Sequence, residues 1–334
     1  MHIPPNVSGN AQTYNTIMSN LSNIYFTDEN IREIDLLDNF YRNCDLSKLA
    51  LQFENELLTN KRSVVPILLF STDIDSFNDL KRVSINRTVK ADNSNNRLLQ
   101  IEDLKYPPKR VIDKIYYNRV NYRNQSVFYG GFGRFQALFE NSPQIGDLFT
   151  VSTWRQKPEM KIRFAIIFHD KSIQQHSELF TKEWNDYQRQ LMGLDERTRK
   201  SVEKLFSIIT FFFIRPVEPS KKIEYLFSAN LANRMFEMPY TPKVEAILYP
   251  SVPMGYIAWN LAILPEAFDK NFDLVTAEEY IVLHKPNDKN QWISQKIADA
   301  TSSSEGNLLW TNQYFSNDFI DLLKSYNVDI NLII

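Results

Sequence analysis

Apolar residues recur at three- and four-residue steps through residues 28–60, where Leu46, Leu49, Phe53 and Leu57 make one stripe. Thr27 and Asp45 each stand before an apolar-periodic run, where a helix N-cap belongs. The pattern predicts helices there, after a loose polar lead-in over residues 1–26. Residues 63–90 turn strand-like, with runs Val64 to Phe70 and Val83 to Val89. Ala91 to Asn96 reads as a polar loop, and Tyr106-Pro107-Pro108 as an extended breaker. Ser126 to Tyr129 predicts a short strand, Gly130-Gly131-Phe132-Gly133 a flexible turn, and Arg134 to Asn141 a helix. Leu148 to Trp154 and Lys161 to His169 are rich in β-branched and aromatic residues and predict strands. Helices are expected at 178–191 and 196–210, with Phe211 to Ile214 as a buried continuation, and at 221–236. Val244 to Tyr249, Trp259 to Leu264 and Leu274 to Leu283 predict strands. The stretch 286–334 starts polar, with a loop at Ser302-Ser303-Ser304 and a last short helix from Asp318 to Tyr326.

Strands therefore come in pairs between helix blocks. That order predicts an α+β fold with a mixed or mostly antiparallel sheet rather than a doubly wound parallel one. No repeat of solenoid period occurs. The 334 residues admit one or two domains. With 43% apolar and 23% charged residues, the chain is globular in type rather than disordered.

Charge and cysteine usage narrow the function classes. A net charge of −2 speaks against coating a polyanion, so no nucleic acid partner is expected, although one local cationic pocket stays open. The single cysteine, Cys44, excludes an intramolecular disulfide framework and a Cys-rich zinc site. His2, His169, His176 and His284 show no ligand spacing, so no metal is expected. The pattern predicts no signal peptide, and no run reaches the roughly 18 apolar residues of a membrane span. The expected setting is the cytoplasm, with no membrane partner.

The glycine cluster Gly130 to Gly133 lacks both phosphate-loop patterns, GxxxxGK[ST] and GxGxxG. Its surroundings are more specific. Arg119-Val120-Asn121 is followed by Phe128-Tyr129, with ten residues from arginine to tyrosine. Glu140 closes Ala137-Leu138-Phe139-Glu140 eleven residues later, and Tyr249-Pro250-Ser251 and Asn260-Leu261-Ala262 come far downstream. In these features the chain resembles the RES family, named for an Arg, a Glu and a Ser and best known from toxins of bacterial toxin–antitoxin pairs. Arg87 sits where the family opens with an arginine-bearing strand. The resemblance spans roughly residues 80–285. Departures are Tyr117-Asn118 in place of two glycines and a longer stretch between Glu140 and Ser251.

The resemblance implies an ADP-ribosyltransferase-like core over 80–285, an N-terminal helical extension over 1–79 and a C-terminal tail over 286–334. It implies NAD⁺ as substrate, cleaved at the nicotinamide–ribose bond by hydrolysis or phosphorolysis. A cognate antitoxin and a homo-oligomer are partners it allows. Catalytic roles fall to Arg119, Tyr129, Glu140 and Ser251, and NAD⁺ contacts to Arg87, Arg119, Asn121, Tyr129 and Gly130.

The chemistry asks for these residue types. Bond cleavage passes through an oxocarbenium-like state, which a carboxylate stabilises; Glu140 suits that role. A guanidinium such as Arg119 grips pyrophosphate bidentately. The Tyr129 ring can stack on cationic nicotinamide, and Ser251 can hydrogen-bond near the ribose. Nicotinamide leaves neutral, so a site without histidine suffices. Each residue also has a plain reading: a surface cation, a core aromatic, a solvated helix end, a turn serine, and for Asn121 a loop cap. Two alternatives stay open, a transferase placing ADP-ribose on a macromolecule and an inactive interaction module.

Overall fold

The computed structural model describes residues 27–60, 71–74, 79–168, 178–238, 243–284, 293–312 and 317–326. The lead-in 1–26, the expected strand Val64 to Phe70 and the end of the one at His169 lie outside these residues. Helices α1 (Asp28–Asn43) and α2 (Leu46–Asn60) form as the apolar stripe predicts. Asp45 accepts from the Lys48 backbone N–H at 3.2 Å, which satisfies one of the orphan donors of the first turn.

Ten strands make one sheet among the described residues: β1 (Ser71–Ile74), β2 (Leu80–Ile85), β3 (Phe128–Gly131), β4 (Leu148–Gln156), β5 (Ile162–Ile166), β6 (Ala246–Pro250), β7 (Trp259–Ile263), β8 (Phe272–His284), β9 (Ile293–Ser302) and β10 (Leu308–Asn312). Their order is β1-β5-β6-β7-β3-β2-β4-β8-β9-β10. Only the β5–β6 pair is parallel, so the sheet is mixed and mostly antiparallel. A parallel pair needs a crossover. Among the described residues the crossover carries the α-helices α5 (Glu178–Met192), α6 (Glu196–Ile214) and α7 (Tyr225–Glu237).

Burial explains the layers. Val202, Leu205, Ile209, Phe212 and Phe213 of α6 pack with Leu226, Phe227 and Leu231 of α7 and with Phe164, Ile247, Leu248 and Leu261 of the sheet. Ile34 and Tyr41 of α1 and Leu46, Ala50 and Leu57 of α2 join the same cluster. The Tyr41 ring meets Phe212 edge-on at 5.1 Å. Strand β2 alternates: Leu80 belongs to this core, while Val83 joins a second cluster with Phe149, Val151, Tyr280 and Val282. Ala137 and Leu138 anchor α4 (Arg134–Asn141) to that second cluster.

Three elements differ from the pattern. β2 stops at Ile85, and Asn86–Val89 make a helical turn, α3, instead of continuing the strand. The reason is Asn86, whose buried amide donates to Glu279 at 2.9 Å and accepts from Thr150 at 3.1 Å. Gly130 and Gly131 belong to β3 rather than to a turn. A Cβ on Gly130 would stand 2.7 Å from the Phe128 ring, so close packing, not conformational freedom, requires glycine there. Finally, β9 and β10 extend the sheet from within 286–334, and α8 (Pro265–Asn271) and α9 (Asn317–Ser325) complete the helices. No helix among the described residues is long and apolar enough to cross a membrane.

Candidate active site

The loop before β3 is built by its own side chains. Asn118 accepts from the Arg119 backbone N–H at 2.9 Å, taking a bond where a glycine would leave none. Asn121, 2% exposed, donates to the carbonyls of Tyr116 and Tyr122 at 3.0 and 2.8 Å. The Tyr129 hydroxyl accepts from the Val120 N–H at 3.1 Å and donates to Asn121 Oδ1 at 2.8 Å. Burial pushes the Tyr129 phenol well up from its usual range, so it stays neutral. The N-terminal helices reach this loop too. Glu54 of α2 accepts from the Tyr117 hydroxyl and pairs with Arg123 at 3.2 Å.

The expected residues Arg119, Asn121, Tyr129, Gly130 and Glu140 all line one cavity of about 500 Å³, within the range of small-molecule sites. Glu140 stands near the end of α4. Its Oε1 accepts from Ser251 Oγ and from Asn260 Nδ2, each at 2.6 Å. Ser251 is fully buried, and Asn260 is 6% exposed on β7. Tyr249 is paired with Asn260 across β6 and β7, which brings the serine turn against the asparagine. Among the described residues Oε2 of Glu140 makes no hydrogen bond.

Arg119 is placed differently from a free phosphate clamp. Its guanidinium donates to the carbonyls of Phe213 at 2.6 Å and Arg215 at 3.0 Å, and lies 5.1 Å over the Tyr225 ring. It closes the C-terminal end of α6, where orphan carbonyls and the helix dipole favour a cation. Arg87 is not on the cavity. Its fork is closed bidentately on Asp147, at 2.7 and 3.1 Å. The reason is the early end of β2, which carries Arg87 onto α3 and away from the sheet.

Sequence reading missed Arg82, the arginine of β2 that does line the cavity. It donates to the Tyr129 carbonyl at 3.0 Å and stands 5.6 Å over the Phe128 ring, while its Nε is buried without a partner. Burial pulls its pKa down to about 10, so it remains a cation at neutral pH at a desolvation cost. The available signal was its place mid-strand, where a lone charge needs a partner. Lys114 and Lys222 also line the cavity. Among the described residues none of Arg82, Lys114, Arg119 and Lys222 pairs with a carboxylate. One acceptor carboxylate therefore faces four uncompensated cations, an arrangement suited to a ligand with several negative charges. Among the described residues no group of three or more His, Cys, Asp or Glu is placed so that it could hold a metal ion.

No family model matches this chain, and no curated protein matches it.

Proposed function

We propose that this chain, on an ADP-ribosyltransferase-like core, binds NAD⁺ and cleaves its nicotinamide–ribose bond. The observation that carries the reading is Glu140, held by two buried donors through one oxygen and left with the other at a cavity lined by four cations that pair with no carboxylate among the described residues. In this reading Arg82 meets the diphosphate, where the negative charge offsets its buried position. The Tyr129 hydroxyl is committed to the loop, so its ring face is what remains to meet the cationic nicotinamide. The ribose C1′–N bond breaks with its electron pair going to the ring nitrogen, and nicotinamide leaves neutral. Oε2 of Glu140 stabilises the positive charge that develops on the ribose. Water or phosphate then adds at C1′ and loses a proton to solvent. Arg119 supports the site by fixing α6 against the loop, and Asn121 by shaping that loop.

Nicotinamide release from NAD⁺ by the purified chain, with and without phosphate, tests the reading. Release that tracks protein concentration supports it, and phosphate dependence names the acceptor. No release in either condition, with ADP-ribose bound or not, removes it.

Arg82→Met is expected to weaken ADP-ribose binding by about 10-fold to 100-fold, the worth of a charge-assisted contact of about 1.5–3 kcal/mol. ADP-ribose should also raise the melting temperature of the wild type more than that of the variant. Calorimetric titration and thermal shift measure the two; equal affinities would take Arg82 out of the ligand's reach.

A further inference from the structure

Gln136 lies one helical turn before Glu140 on α4 and is 4% exposed. Its Nε2 stands 2.5 Å from the Trp259 carbonyl oxygen and 2.7 Å from Asn260 Oδ1. A backbone carbonyl can only accept a hydrogen bond. The Gln136 atom facing it must therefore be the nitrogen, and that nitrogen's second hydrogen needs an acceptor. Asn260 can offer only Oδ1, which turns its Nδ2 toward Glu140. The Trp259 carbonyl thus sets the direction of the whole chain: Gln136 donates to Asn260, and Asn260 donates to Glu140. Oε1 then accepts twice, from Asn260 and from Ser251. Both lone pairs of Oε1 are thus engaged as acceptors, and Oε2 is the oxygen left for other partners. Gly131 makes the room: a Cβ there would stand 2.6 Å from the Gln136 amide.

We propose that Gln136 is a positioning residue, which through Asn260 keeps Glu140 an acceptor with its second oxygen directed to chemistry. Its effect on rate rests on the NAD⁺-cleaving reading; the hydrogen-bond chain does not. The titratable groups that line the cavity beside Glu140 are Tyr116, Tyr117, Tyr129, Tyr225, Tyr249, Arg82, Arg119, Lys114 and Lys222. Burial raises Tyr129 and Tyr249 and leaves Arg82 a cation at neutral pH.

Gln136→Met keeps much of the length and removes the donor without adding a charge. Asn260 is then free to turn and present Oδ1 to Glu140. The acid limb of kcat is expected to move up by about one pH unit or more, with KM for NAD⁺ within about twofold because Gln136 does not line the cavity. The ¹³C titration of the Glu140 carboxyl should show the same upward shift without any NAD⁺. Equal midpoints in wild type and variant overturn the proposal, even if the variant melts earlier. A shifted midpoint in a protein that releases no nicotinamide supports the chain and overturns only the NAD⁺ reading. Should Gln136→Met fail to fold, Gln136→Leu removes the donor likewise; an upward shift supports the proposal, and none overturns it.

Discussion

Glu140→Gln is expected to lower nicotinamide release by about 10²–10³-fold, the cost of removing one electrostatic stabiliser of a transition state. NAD⁺ binding should change by less than about threefold, because the lost charge matters most where positive charge develops. Glutamine keeps the size and can still accept from Ser251 and Asn260 through its carbonyl, so the local geometry survives. What disappears is the negative charge at the second oxygen. Single-turnover kinetics separates binding from bond cleavage. A variant that cleaves at the wild-type rate would leave Glu140 as a helix-end residue with no part in chemistry.

Arg119→Ala is expected to lower stability by about 2–5 kcal/mol. The carbonyls of Phe213 and Arg215 would lose their donors, at about 1–3 kcal/mol for each buried acceptor left unmade. The C-terminal end of α6 would lose its cation as well. Arg119→Lys recovers only part of this, since a single ammonium does not reproduce a planar fork spanning two carbonyls. Urea unfolding with an unchanged m-value reads the loss as stability. An alanine variant as stable as the wild type would return Arg119 to the role of a direct phosphate ligand.

Much of the fold follows from local pattern. The stripe Leu46, Leu49, Phe53 and Leu57 is a helix signal, and Leu57 and Leu46 are indeed buried in α2. Strand β9 is the opposite case. Ile293–Ser302 is mostly polar, and its buried members Ile297, Ala298 and Ala300 do not alternate cleanly, because the register against β8 shifts twice. A bulge breaks the period of two on which strand reading depends. Of the site, the residues with their own spacing signal, Arg119, Tyr129, Glu140 and Ser251, gather at or against one cavity. Asn260 had a place in the resemblance but no role there, and Arg82 and Gln136 carried no signal at all. Arg82 adjoins Lys81 in the sequence, and Gln136 is one polar residue within a short helix, so neither stands out in a local window. Their importance depends on partners far along the chain, which no local window contains.

That distance along the chain has a consequence for synthesis. Glu140 meets Ser251 across 111 residues and Asn260 across 120, and Arg119 meets Phe213 across 94. A growing chain that has passed Glu140 still lacks both donors to its carboxylate and the carbonyls that hold Arg119. At about 5–20 residues per second, completion follows roughly 6–24 s later. A nascent or prematurely ended chain therefore lacks the completed hydrogen-bond chain until residue 260 has emerged and Ser251 and Asn260 have reached Glu140. On the proposed reading, the interval in which any control of the activity has to be in place opens no earlier than that.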